Sequence, residues 1–185
     1  MASPRDGGAA APAGPVDRDV DVVIVGAGFS GLGVAAVLRK AGIGSCLILE
    51  AADDLGGTWR DNTYPGCGCD IPSPLYSYSF DQNPDWSRLF AGQPELQDYL
   101  RDVARHRGLV ERVRFGRKVT GARWIEAESR WEVTTSTGER HRARFLVSAV
   151  GPLHHPVQPD LPGMESFGGA VFHSAAWRHD VDLTG

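Results

Sequence analysis

No stretch of this chain approaches the ~20 consecutive apolar residues that cross a bilayer, so membrane insertion is not expected. Cysteine is scarce as well. Three of them, an odd number in 185 residues and with no apolar leader ahead of them, make no disulfide framework and fit reduced thiols in the cytoplasm. A surplus of positive charge is missing too: at a formal net charge of −4 there is no electrostatic reason to expect nucleic acid as a partner. Nor is there a metal set. Cys67 and Cys69 form a CxC without a second pair or a suitably spaced histidine, and His154 and His155, consecutive on what reads as extended backbone, should point apart. No internal repeat is visible.

What remains is ordinary globular material, 42% apolar and 23% charged, long enough for one domain with a real core and too short for two. The first 18 residues, rich in Ala, Gly and Pro, read as a disordered tail. Directly after them comes the most informative stretch. Residues 21–25 are nearly all β-branched, as in a parallel strand buried on both faces. Gly26, Gly28 and Gly31 then form GxGxxG where a strand should turn into a helix. Each has its own physical use: Gly26 makes the tight turn, Gly28 lets a pyrophosphate approach the backbone, and Gly31 lets the helix pack on the strand. Ser30 lies inside the same turn. Alone, such a pattern is a glycine-rich turn. Here Val34, Val37, Leu38 and Ala41 follow at helical spacing as a candidate packing face, and Gly42 stops the helix behind Lys40. A second apolar strand, 46–49, ends at Glu50, which stands 19 residues after Gly31. An acid at that distance accepts hydrogen bonds from a ribose diol and argues against a phosphate on that ribose.

From 51 to 80 the sequence loses period, so a long irregular connection is expected, functional or else a packed surface loop. Within it Gly56, Gly57, Thr58 and Trp59 offer bare backbone, a hydroxyl and a flat ring, which suits a planar cofactor. Pro94 opens a helix running to about Arg107, with Leu96, Tyr99, Leu100 and Val103 as its buried stripe. A meander follows over 113–124, 131–136 and 140–150, the last strand apolar enough to return into the main sheet. After a Pro-rich crossing, residues 167–177 read as a short strand and turn.

With these motifs in place the chain resembles the flavin-dependent (class B) monooxygenases, and among them the Baeyer–Villiger type. The resemblance rests on GAGFSG with Glu50; on the block Gly56 to Trp59, Asn62, Tyr64-Pro65-Gly66 and Asp70; on SAVG at 148–151; and on FxGxxxHxxxW, met by Phe167, Gly169, His173 and Trp177. Arg178 stands where that fingerprint usually continues with Pro or Asp. The implied fold is α/β: a Rossmann-like, three-layer FAD-binding domain with a β-meander insertion, over 19–151. Residues 152–185 are then a linker carrying the fingerprint, and the chain stops before an NADPH domain. The implied activity is FAD- and NADPH-dependent insertion of one oxygen from O2 into a ketone, through a C4a-peroxyflavin. N- or S-oxygenation on the same scaffold, and a non-catalytic flavin-binding remnant, are the alternatives. These 185 residues alone are expected to turn over no NADPH.

The resemblance also implies roles. Gly26, Gly28, Ser30 and Gly31 would hold the FAD pyrophosphate and Glu50 the adenosine ribose. Gly57, Thr58, Trp59 and Tyr76 would neighbour the flavin, and the backbone of Val119 the adenine. Asp70 resembles the family's active-site aspartate, whose arginine partner has no counterpart here. His173, with Phe167, Gly169 and Trp177, would sit between nucleotide domains and affect their relative movement, or serve as a structural histidine.

Overall fold

The structure, a computed structural model, describes residues 17–184. Strand β1 (Arg18–Val25) leads through the glycine turn into helix α1 (Phe29–Lys40), and the chain returns as β2 (Cys46–Leu49) parallel to β1. A long irregular segment holds only the single helical turn α2 (Thr58–Asp61) before helix α3 (Gln93–His106). Four strands complete the sheet: β3 (Val113–Arg114), β4 (Val119–Ile125), β5 (Arg130–Thr135) and β6 (Arg140–Ser148). The sheet order is β3-β2-β1-β6-β5-β4. β1, β2, β3 and β6 run parallel, while β4, β5 and β6 form an antiparallel meander.

The apolar runs explain this arrangement. Val22, Ile24 and Ile48 face α1 and α3, where Leu32, Leu96 and Leu100 are fully buried. On the other face Val23, Leu47 and Leu49 meet Val133 and Ala143 of the meander. The helices thus cover one face of the sheet, while the meander, continuous with that sheet, contributes Val133 and Ala143 to the cluster on the other; each fully buried aliphatic side chain contributes about 1.5–3 kcal/mol. As expected, the strand from 140 onward re-enters the main sheet, pairing with β1 from Arg18↔His141 to Val25↔Ser148.

Several sequence expectations need correcting. The disordered tail lies outside the described residues over 1–16, but Asp17 bonds to Arg140 and Arg18 already opens β1. Helix α1 packs through Gly31, Leu32, Ala35 and Ala36; Val34 and Leu38 are only half-buried, and Val37 and Ala41 face water. The small residues win because Gly31 presses on the turn so closely that a Cβ would stand 2.0 Å from the Gly26 carbonyl oxygen. Residues 113–124 are two strands rather than one. Gly116, at φ +65°, breaks the strand between them, and Gly116 and Arg117 donate to Ala52 and Glu50 carbonyls. Residues 167–177 contain no strand: single 3-10 turns at Met164–Ser166 and Ser174–Ala176 punctuate an exposed segment. His154 and His155 do not point apart, because the backbone there bends between prolines and brings their rings to 4.7 Å.

Candidate functional site

Strands β1, β2 and β6 end at one edge of the sheet, and connections leaving it in opposite directions open a crevice at their C-terminal ends. That crevice encloses about 360 Å³. Its floor is the glycine turn and first turn of α1, with Gly26, Gly28 and Ser30; its walls are Glu50, the loop from Gly56 to Arg60, and the backbone of 149–151 after β6. Tyr76, Lys118 and Val119 close the sides.

The floor is bare backbone for a steric reason. At Gly26, φ is +101° and a Cβ would lie 2.6 Å from the Ala149 carbonyl oxygen. At Gly57, φ is +55° and a Cβ would approach the Gly28 Cα to 3.2 Å, so two glycine backbones meet with no side chain between them. Helix α1 starts at Gly28 with no side-chain cap and no acid in its first turn. Its first N–H groups, which no helical carbonyl can satisfy, therefore face the crevice with the positive end of the helix behind them.

Glu50 is only 4% exposed, yet both of its oxygens are engaged. Its Oε2 accepts the Ala27 N–H at 2.7 Å; its Oε1 accepts the Ala52 N–H at 3.0 Å and Arg60 Nη1 at 3.0 Å. A carboxylate this deep needs a cation and donors to offset its lost hydration. Arg60 is the residue that sequence reasoning missed. The signal was available, since a buried acid calls for a nearby base and Arg60 directly follows Trp59.

Thr58 and Trp59 open α2, and Trp59 is buried with its indole N–H donating to Tyr76 Oη at 3.1 Å. Burial raises the Tyr76 phenol above its ordinary range despite that bond, so it stands in the crevice as a neutral hydroxyl. The loop is also packed on its own aromatics. Phe29 touches Tyr76 and Tyr78 at ring distances of 4.9 and 4.4 Å, and Tyr78 stacks on Phe80. The loop is thus packed on its own aromatics, while Gly56 to Arg60 and Tyr76 line the crevice.

The remaining candidates lie elsewhere. Asp70 is exposed and lines a separate hollow with Cys67, Arg88 and Phe90. Gly31 supports the turn from beneath. Phe167 is 63% exposed and its ring lies over Gly169; Trp177 packs edge-on against Phe172 at 5.0 Å. His173 accepts the Ala175 N–H on Nδ1 at 3.0 Å, capping a 3-10 turn, and none of these four lines the crevice. His154 and His155, set aside in the sequence, stand at its mouth with Lys118.

Comparison with known proteins bears on this geometry. Residues 24–92 match the family model described as an NAD(P)-binding Rossmann-like domain. A Baeyer–Villiger monooxygenase of Streptomyces coelicolor is 49% identical over 170 residues, which are 92% of this chain and 33% of the relative. The FAD-binding monooxygenase ktnD of Aspergillus niger is 41% identical over 175 residues, covering 89% of this chain and 29% of that protein. The crystal structure of cyclohexanone monooxygenase from Rhodococcus sp. Phi1 bound to NADP+ superposes with a TM-score of 0.82 at 40% identity, covering 93% of this chain and 33% of the other. The chain thus spans about a third of the length of the relatives it matches. The chain is therefore similar, over about a third of their length, to flavin-dependent monooxygenases of the Baeyer–Villiger type.

Proposed function

We propose that this chain binds FAD in the crevice and is the FAD-binding part of an FAD- and NADPH-dependent monooxygenase that inserts one atom of O2 into a small ketone. The observation that carries the reading is Glu50, held on the Ala27 N–H at 2.7 Å beside an uncapped helix start. An acid at that point accepts a ribose hydroxyl and repels a ribose phosphate, which favours FAD over NADP in this crevice. The backbone suits the group: where Gly28 and Gly57 meet, neither carries a side chain, so the crevice floor is left as bare backbone for the phosphates to approach.

In this reading Gly26, Gly28, Ser30 and the α1 N–H groups hold the pyrophosphate, with Gly31 keeping the helix close enough for them to do so. Glu50 orients the adenosine ribose, and Val119, the first residue of β4, borders the adenine. Thr58, Trp59 and Tyr76 wall the flavin end and exclude water from it. Bound FAD would supply the oxygen-activating redox chemistry; the protein supplies position and electrostatics. Asp70 would serve the catalytic end by orienting a cationic group, and Phe167, Gly169, His173 and Trp177 would act between domains, since they stand apart from the crevice. Cytoplasmic residence belongs to the same proposal, because the three cysteines are free thiols, as a reducing compartment keeps them.

Titration of the purified protein with FAD and with NADP+ tests the reading. FAD should bind and not be displaced by NADP+, and Glu50→Ala should abolish measurable binding. Equal competition by NADP+ would overturn it.

A further inference from the structure

We propose that Arg60 is a positioning residue for the adenosine ribose: it holds one oxygen of Glu50 so that the other is left to accept a ribose hydroxyl. The proposal rests on the FAD reading and deepens it. A carboxylate has about four lone-pair sites. In Glu50 three are taken: Oε2 by the Ala27 N–H, and Oε1 by the Ala52 N–H and Arg60 Nη1. The remaining acceptor site is on Oε2, the oxygen already fixed to the glycine turn. Were Arg60 absent, the carboxylate could rotate and offer Oε1 instead, away from the turn.

Arg60 is itself held for this task. Its Nη1 also donates to the Asp54 carbonyl at 2.6 Å, while Nε and Nη2 grip the two oxygens of Asp61 at 2.8 and 3.0 Å. Its side chain is 15% exposed and that of Glu50 5%, so the pair acts with little screening. A guanidinium fork serves three acceptors in fixed directions, which a lysine ammonium cannot reproduce. A loop staple would need only the bond to Asp54; the Glu50 bond is the one that reaches the site.

The test is a fluorescence titration of the full chain with FAD and with its analogue carrying 2′-deoxyadenosine, in wild type, Arg60→Met, Arg60→Lys, Glu50→Gln and the double variant. Loss of a hydrogen bond to a charged group should make Arg60→Met about tenfold weaker for FAD, and Arg60→Lys nearly as weak. For the deoxy analogue the same substitution should cost at most about twofold, and likewise once Glu50 is Gln, because coupled groups are not additive. Equal losses for FAD and its analogue would make Arg60 a loop staple, and additive losses would separate it from Glu50; either result overturns the proposal. Should Arg60→Met fail to fold, Arg60→Lys carries the same comparison. A wild type that takes up no FAD would instead refute the parent reading.

Discussion

The stretch from β1 to Glu50 and the irregular segment over 51–92 build opposite walls of one crevice by different means. The first is held by periodic burial: β1 and β2 alternate their side chains between two apolar clusters, and α1 seals one of them. The second has almost no secondary structure; its aromatics pack on the core, and its path is otherwise set by single side-chain bonds, mainly from α3. Gln97 donates to the Leu55 carbonyl at 2.8 Å, Arg101 grips Asp54 at 2.7 Å, and Tyr99 both accepts the Tyr78 N–H and donates to the Asp81 carbonyl, each at 2.8 Å. A site can therefore combine a rigid floor set by packing with a wall set by individually replaceable bonds.

The sharpest way to break the comparison is at the floor. Gly31→Ala drives a methyl into the Gly26 carbonyl and, because backbone cannot move aside cheaply, should cost about 3 kcal/mol in urea unfolding. At the wall Tyr99→Phe should cost about 2 kcal/mol, since it strands a buried N–H and a carbonyl. Mobility in that variant should be confined to residues 51–92, which hydrogen exchange would resolve; protection lost in β1 as well would erase the distinction.

Acid should loosen the wall before the floor. Burial raises the Asp81 carboxyl, but bonds from Arg107 and His106 outweigh it, and the net shift is downward. A carboxylate lowered on folding stabilises above its unfolded value, about 4, and that contribution is lost as pH falls through the lower folded value. Unfolding midpoints should therefore drop below pH 4, and less steeply in Asp81→Asn. The smallest effect is expected outside both regions: Phe167→Ala, at a 63% exposed side chain, should change stability by no more than about 0.5 kcal/mol.

The same contrast governs what could be read from sequence. The glycine turn, Glu50 and the α3 stripe of Leu96, Tyr99, Leu100 and Val103 were legible because burial and steric need leave a local pattern. The α1 face was misread because hydrophobicity favours Val37, whereas close approach at Gly31 favours alanines. Arg60 and Gln97 were invisible to periodicity: their partners are set by a loop path that no local spacing encodes. The strand expected over 167–177 failed for the same reason. Its apolar residues have no neighbouring strand among the described residues, so apolar composition alone makes no ladder.

The most direct measurement is a crystal structure of the protein grown with FAD. The account predicts the pyrophosphate over the glycine turn at Gly26, Gly28 and the first N–H groups of α1, and the adenosine ribose on Glu50 Oε2 with the Arg60 bond to Oε1 intact. FAD placed with its ribose away from Glu50, or found outside this crevice, would contradict it.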